Sequence, residues 1–117
     1  MPLNPLHEAQ FKFTTYLGRF LLHLPPLGYQ VSLDEAFRPP ALAILYANQG
    51  KGIKNSLHCI RLAIDLNLFR GGVLLTQKSD FLPAGTLWTS YDPACRWGGN
   101  FHSVDLRHFS LAIDARG

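Results

Sequence analysis

A nine-residue stretch in the middle of the chain constrains the fold more than any other feature of the sequence. Its apolar residues alternate strictly with other residues: Ile60, Leu62, Ile64, Leu66 and Leu68. Successive side chains of a β-strand point to opposite faces, so these apolar side chains share one face. The pattern therefore predicts a central strand that buries this face in the core and turns Asp65 away from it.

A long helix is predicted ahead of this strand. Within Leu6–Leu24, apolar residues recur at three- and four-residue steps, which forms one helical stripe. Asn4 can cap this helix, with Pro5 at its first position. The helix should end at Pro25-Pro26, because proline cannot donate the backbone hydrogen bond that continuation requires.

Shorter elements are predicted on both sides of the central strand. Before it we expect a strand at Tyr29–Leu33, a helix from Pro39-Pro40 to Asn48 that turns at Gly50, and a loop at Gln49–Leu57. After it we expect a turn at Arg70-Gly71-Gly72, a return strand at Val73–Leu75, and a last strand at Phe109–Ile113. The stretch Asp80–Asn100 mixes prolines, glycines and aromatics, and no element is assigned to it.

The order of these elements predicts the fold class. Two helices before an antiparallel sheet indicate an α+β fold, with N-terminal helices packed on a small antiparallel sheet. A chain of 117 residues fits one ordinary domain, so we expect residues 1–117 to form a single domain.

Charge and composition narrow the classes of partner. The net charge is +3, and the basic residues are spread along the chain. Such a surface favours anionic partners, and bacterial cell wall would qualify. The aromatic and basic motifs of the common nucleic-acid modules are absent from the sequence, so we expect no nucleic-acid partner. Cys59 and Cys95 are predicted to be free thiols.

The N-terminal region does not resemble a secretion signal. Its apolar run is interrupted by Glu8, Gln10 and Lys12, and no small-residue cleavage site follows. The sequence also lacks an apolar stretch of about 18 residues that could span a membrane. We therefore expect synthesis in the cytoplasm without a signal peptide, and no stable membrane insertion.

Two short blocks carry the residues suited to metal chemistry. His58 stands just before the central strand and Asp65 lies on its polar face. Residues seven apart on a regular strand face opposite sides, so His58 must precede regular pleating or a bulge must intervene. Asp105 and His108 form the second block. Two histidines and one carboxylate leave the fourth zinc position open to water, as in catalytic sites, and Asp105 could accept a proton from that water.

These blocks resemble the zinc peptidases that cut peptidoglycan stem peptides: the D-Ala-D-Ala carboxypeptidase group (peptidase M15-like) and its bacteriophage endolysin relatives. The matching residues are Ser56-x-His58-(x)6-Asp65, Asp105-x-x-His108-Phe109, Phe37-Arg38 and Trp97-Gly98-Gly99. The resemblance implies a Hedgehog/DD-peptidase-like fold with Zn²⁺ held by His58, Asp65 and His108. It also implies that Asp105 is the catalytic base, that Arg38 acts in catalysis and substrate binding, and that Ser56 binds substrate.

Two positions distinguish this chain within that group. Carboxypeptidases of the family usually have glutamate three residues before the last histidine, whereas the endolysin-type L-alanyl-D-glutamate peptidases have aspartate, as here at Asp105. Arg61 stands where the family usually has glycine, which leaves the local backbone and the width of the cleft open but not the predicted metal ligands. His102 lies close enough to the second block to be a minor candidate.

The resemblance implies a zinc metallopeptidase that hydrolyses peptidoglycan stem peptides, with the L-alanyl-D-glutamate bond preferred, as a phage-type endolysin. We expect a monomer that acts on the cell wall after release. Two alternatives remain open: a D-Ala-D-Ala carboxypeptidase, and a catalytically inactive zinc-containing module that binds the wall.

Overall fold

The computed structural model describes residues 4–51 and 56–113. Within them, three α-helices pack with a small antiparallel sheet: α1 (Pro5–His23), α2 (Pro40–Asn48) and α3 (Lys78–Ser90). The strands are β1 (Gln30–Leu33), β2 (Ala63–Arg70), β3 (Val73–Leu74), β4 (Cys95–Trp97) and β5 (His108–Leu111). Short 3-10 turns occupy Pro25–Leu27, Leu57–Ile60 and Gly98–Asn100. The predicted α+β class is confirmed, although α3, which lies between β3 and β4, was not predicted.

The sheet has β2 near its centre. Its strand order is β1-β2-β5-β4, with β3 paired to β2 through the predicted glycine turn, and all pairs are antiparallel. In the β2–β5 register, Ile64 lies opposite Phe109 and Asp65 lies opposite His108. Paired residues of a sheet face the same side. The register therefore brings the two blocks of the sequence together.

The central strand starts later than the alternation predicts. β2 begins at Ala63, and Ile60 lies in the 3-10 turn before it. The predicted inward face from Leu62 to Leu68 is buried, with alternate residues at or near zero exposure. His58 therefore precedes regular pleating, which was the geometric requirement for it to share a site with Asp65.

Arg61 closes this turn in a left-handed conformation, with φ 60° and ψ 36°. Glycine adopts this conformation without strain, whereas other residues incur a cost of about 1–2 kcal/mol. The guanidinium of Arg61 lies 4.2 Å from the ring centroid of Phe37, a cation–π contact that offsets part of this cost. Arg61 thus adopts the left-handed conformation that a glycine at this position would favour.

The core lies between the sheet and the helices α1 and α3. The ring of Phe20 lies 4.9 Å from Phe109 and 5.1 Å from Trp88 between centroids. The indole N–H of Trp88 donates to the Ser110 carbonyl at 3.0 Å, which ties α3 to β5. Burial of such rings supplies most of the driving force for folding.

The unassigned stretch contains most of α3 and all of β4. Pro83 lies inside α3, where proline normally disfavours a helix, and Gly85 weakens the helical pattern further. Packing explains the glycine, because a Cβ at Gly85 would lie 2.2 Å from the ring of Trp97. Tertiary packing has thus overridden local propensity in this segment.

The other sequence predictions hold with small shifts of boundary. The Asn4 side chain accepts from the backbone of Leu6 at 2.8 Å, which caps α1 as predicted. β5 begins at His108 and ends at Leu111, so it starts one residue earlier and ends two residues earlier than predicted. Residues 52–55 of the predicted loop lie outside the described residues.

Both cysteines are free, as predicted. Burial raises the pKa of the Cys95 thiol to about 12, so this thiol stays protonated at neutral pH. Across the described ranges, each helix is too short or too polar to cross a bilayer.

Candidate metal centre

Three potential metal ligands meet where β2 and β5 pair. One donor atom from each of His58, Asp65 and His108 lies within 4.8 Å of the others. His58 comes from the turn before β2, and the other two face each other across the strand pair. Both histidines are buried and Asp65 is half-buried. The structure thus brings together all three residues that the sequence predicts as ligands.

The spacing of these atoms suits a small cation. The Nε2 atom of His58 lies 3.3 Å from Oδ1 of Asp65, and Nδ1 of His108 lies 3.9 Å from the same oxygen. A tetrahedral zinc ion with ligands at about 2.0–2.2 Å separates them by roughly 3.3–3.6 Å. Small side-chain shifts would therefore bring these donors onto one ion.

A hydrogen bond to the backbone orients His58. Its Nδ1 lies 3.0 Å from the Ala36 carbonyl, to which it can donate, and this leaves Nε2 as the donor atom facing Asp65. Ligating histidines usually have such a partner for their second nitrogen. The backbone N–H of His58 also donates to Oγ of Ser56 at 3.2 Å, so Ser56 caps the turn that carries the histidine.

Asp65 provides a direct test of whether a cation fits. Its Oδ1 atom is buried and accepts no hydrogen bond from the residues at 4–51 and 56–113. A buried carboxylate oxygen in this state is costly unless a charge compensates it. A divalent cation among the three residues would satisfy this oxygen, so the donor set fits zinc.

Asp105 is held beside the cluster by its own backbone. Its N–H donates to the Gly98 carbonyl at 2.9 Å, and its carbonyl accepts from the N–H of His108 at 3.2 Å. Loss of solvent around the carboxyl raises the pKa of Asp105, and the negative charge of Asp65 raises it further. The charges of Arg107 and His58, and a hydrogen bond from the Arg107 backbone, oppose this rise. A carboxylate with a raised proton affinity is suited to general-base catalysis.

The Trp97-Gly98-Gly99 segment packs closely against the backbone of Asp105 and the side chain of His108. A Cβ at Gly98 would lie 2.0 Å from the Asp105 carbonyl oxygen and 2.9 Å from Cβ of His108. Trp97 is buried, and its indole N–H donates to the Leu106 carbonyl at 2.8 Å. Gly98 is therefore required for the close approach of the backbone that carries Asp105.

We expect Gly98→Ala to disrupt this approach. The added methyl group should lower the free energy of unfolding by roughly 1–3 kcal/mol or more and weaken zinc binding, because both neighbours must move. Gly18→Ala is the matched control. A Cβ at Gly18 meets nothing within 4 Å, so this helical substitution should stabilise the protein by about 0.5–1 kcal/mol. Urea unfolding with and without zinc measures both effects, and equal stability of Gly98→Ala and the parent would contradict this role.

An open cleft of about 790 Å³ leads to the cluster. This volume is typical of ligand sites. Its charged lining consists of Asp34, Glu35, Asp65, Asp105, Arg38, Lys51 and Arg107. Tyr46 and Phe101 add aromatic surface. The cleft can thus admit a ligand to Asp65, His108 and Asp105.

The other predicted site residues take different positions. Arg38 and Ser56 both line the cleft, which is compatible with the predicted substrate contacts. His102 is exposed and lies outside the ligand cluster. Glu35, which pairs with Arg38, was missed by the sequence reasoning. Its position three residues before the arginine was the available signal.

Comparison with known proteins agrees with this geometry. The sequence model of the D-alanyl-D-alanine carboxypeptidase family matches residues 49–111, which is just over half of the chain. Among solved structures, the L-Ala D-Glu endopeptidase ChiX of Serratia marcescens is similar, with a TM-score of 0.62 and 20% sequence identity. The match covers 70% of this chain and 66% of that enzyme, slightly less than two thirds of its length. At this identity the structural likeness shows the fold.

No curated protein sequence matches the chain. The family match includes His58, Asp65, Asp105 and His108, and each of them lies at the cleft or in the ligand cluster beneath it. The chain therefore belongs to the D-alanyl-D-alanine carboxypeptidase family of peptidases, a family of hydrolases.

Proposed function

We propose that this protein is a zinc peptidase that hydrolyses peptidoglycan stem peptides. The observation that carries the proposal is the meeting of His58, Asp65 and His108 beneath the cleft, with Asp105 beside them. Three protein ligands leave one zinc position open, which distinguishes catalytic from structural zinc sites. Membership of a peptidase family supports the same reading.

His58, Asp65 and His108 would hold the ion. When bound, Zn²⁺ would polarise the scissile carbonyl and lower the pKa of a water molecule toward about 7. Asp105 would accept the proton of that water while the water oxygen attacks the carbonyl carbon. As the carbon–nitrogen bond breaks, Asp105 would return the proton to the leaving amine. Arg38 would donate hydrogen bonds to a carbonyl or carboxylate of the substrate.

The preferred bond is that between L-alanine and D-glutamate, and the preferred role is that of a phage-type endolysin. Asp105, where carboxypeptidases of the family usually have glutamate, supports this choice. The likeness to a protein described as an L-Ala D-Glu endopeptidase supports it as well. Residues 1–117 would act as one monomeric domain, and the wall outside the cytoplasm would be its place of action.

Cleavage of D-alanyl-D-alanine is the second candidate. The matching family is described by that activity. The two candidates differ in their products, since carboxypeptidase action releases free D-alanine, whereas the preferred reaction exposes the amine of D-glutamate.

Digestion of purified peptidoglycan, followed by mass spectrometry of the released peptides, tests the proposal. We expect peptides with D-glutamate at the N-terminus, lost on chelation and restored by added zinc. Release of D-alanine alone would select the second candidate. A zinc-loaded protein that releases neither product would contradict peptidase function and leave the inactive wall-binding module.

A further inference from the structure

The segment between β1 and α2 is tied to two of the ligand residues through its backbone. The N–H of Asp34 donates to the Asp65 carbonyl at 3.0 Å, and the N–H of Asp65 donates to the Glu35 carbonyl at 2.8 Å. The N–H of Arg38 donates to the His58 carbonyl at 3.0 Å. These backbone hydrogen bonds fix the positions from which the Glu35 and Arg38 side chains project, relative to His58 and Asp65.

The side chains of Glu35 and Arg38 form a half-buried ion pair at the cleft wall. Oε1 of Glu35 accepts from Nε of Arg38 at 2.5 Å and also contacts Nη2 of the same guanidinium. The side chain of Arg38 is 12% exposed and that of Glu35 is 22% exposed. The guanidinium also lies over the ring of Tyr46, 5.3 Å from its centroid. Arg38 is thus held between a carboxylate and an aromatic face.

The contacts leave a defined edge of Arg38 for a ligand. Glu35 engages the Nε and Nη2 edge, and within residues 4–51 and 56–113 no hydrogen bond involves Nη1, which can therefore donate into the cleft that Arg38 lines. Without Glu35 the long side chain would regain rotamer freedom and would have to be ordered again by each substrate.

We propose that Glu35 is a positioning residue that acts on the substrate through Arg38. This inference rests on the proposed peptidase function. Oε1 of Glu35 also lies 3.9 Å from Nδ1 of His58, but that nitrogen already has the Ala36 carbonyl at 3.0 Å. Orientation of His58 therefore does not depend on the Glu35 carboxylate, and zinc binding should survive its removal.

A double-substitution cycle tests the inference. Glu35→Ala, Arg38→Ala and the double variant are loaded with zinc and assayed for kcat/KM on a synthetic stem peptide that contains the L-alanyl-D-glutamate bond. Zinc content is measured for each, and peptide affinity is measured in the Asp105→Asn background, which gives a readout without turnover. If Glu35→Ala does not fold, Glu35→Gln, which keeps an acceptor oxygen and the same size, takes its place in the cycle.

We expect Arg38→Ala to lower kcat/KM by about ten- to a hundredfold, and Glu35→Ala to cause a loss of similar or smaller size. The kcat/KM of the double variant should be no more than about twofold below that of Arg38→Ala, because the effects of residues that act as a unit are not additive. Peptide affinity should follow the same pattern, with zinc content unchanged.

Any of four results would overturn the inference. The first two are unchanged kcat/KM in Glu35→Ala or in Arg38→Ala. The others are a double variant whose loss equals the product of the two single losses, and loss of zinc in Glu35→Ala. A parent protein that cleaves neither this bond nor a D-alanyl-D-alanine bond would instead overturn the proposed function, and the inference with it.

Discussion

His108→Ala is expected to lose bound zinc and peptide hydrolysis together. It would remove one of the three proposed protein ligands, and His58 and Asp65 alone would not complete a tight site. Zinc retained after dialysis should fall below about a tenth of the parent's content. Elemental analysis of both proteins, purified without chelator, provides the measurement.

His102→Ala is the matched control for this experiment. His102 is exposed and lies outside the ligand cluster, six residues before His108 in the sequence. The control should bind zinc and digest peptidoglycan as the parent does. Equal zinc content in His108→Ala and His102→Ala would show that the ligand assignment is wrong.

Asp105→Asn is expected to keep zinc and stability while losing most of its turnover. The amide is nearly the same size as the carboxyl, so the backbone bonds to Gly98 and His108 should persist. The amide cannot accept the proton, and general-base catalysis typically contributes about a hundred- to ten-thousandfold in rate. Release of wall peptides, zinc content and thermal unfolding should be compared under the same conditions.

Asp34→Asn controls for the loss of a negative charge at the cleft. Asp34 pairs with Arg107 at 2.5 Å, at a partly exposed position. Exposed ion pairs contribute little to stability, so this variant should stay folded. Its rate of peptidoglycan digestion should fall by less than about tenfold. Digestion by Asp105→Asn at the parent's rate would refute the base assignment, and loss of zinc in that variant would make Asp105 a ligand instead.

Local patterns predicted much of this fold. Alternation within β2 and the Asn4 cap of α1 are short-range features, and each follows from side-chain periodicity or backbone hydrogen bonding near in sequence. The position of His58 followed from the same periodicity, since residues seven apart cannot share a face of a regular strand.

The parts that could not be predicted depend on contacts between distant residues. α3 contains Pro83 and Gly85, and it is held on the sheet by the bond from Trp88 to Ser110 of β5 and by the close packing of Gly85 on Trp97 of β4. The pairing of Asp65 with His108 is a property of the β2–β5 register, which sequence spacing does not specify. In the candidate site, the ligands were named from resemblance, whereas Glu35 required the structure to show its ion pair with Arg38.

X-ray absorption at the zinc edge of the reconstituted protein tests the central claim most directly. The account predicts about one zinc per chain, bound only by nitrogen and oxygen at about 2.0–2.2 Å, with the outer-shell signature of two imidazoles. Cys59 follows His58 directly in the same 3-10 turn and is the alternative donor to exclude. A sulfur ligand at about 2.3 Å, or zinc without imidazole, would contradict a centre built from His58, Asp65 and His108.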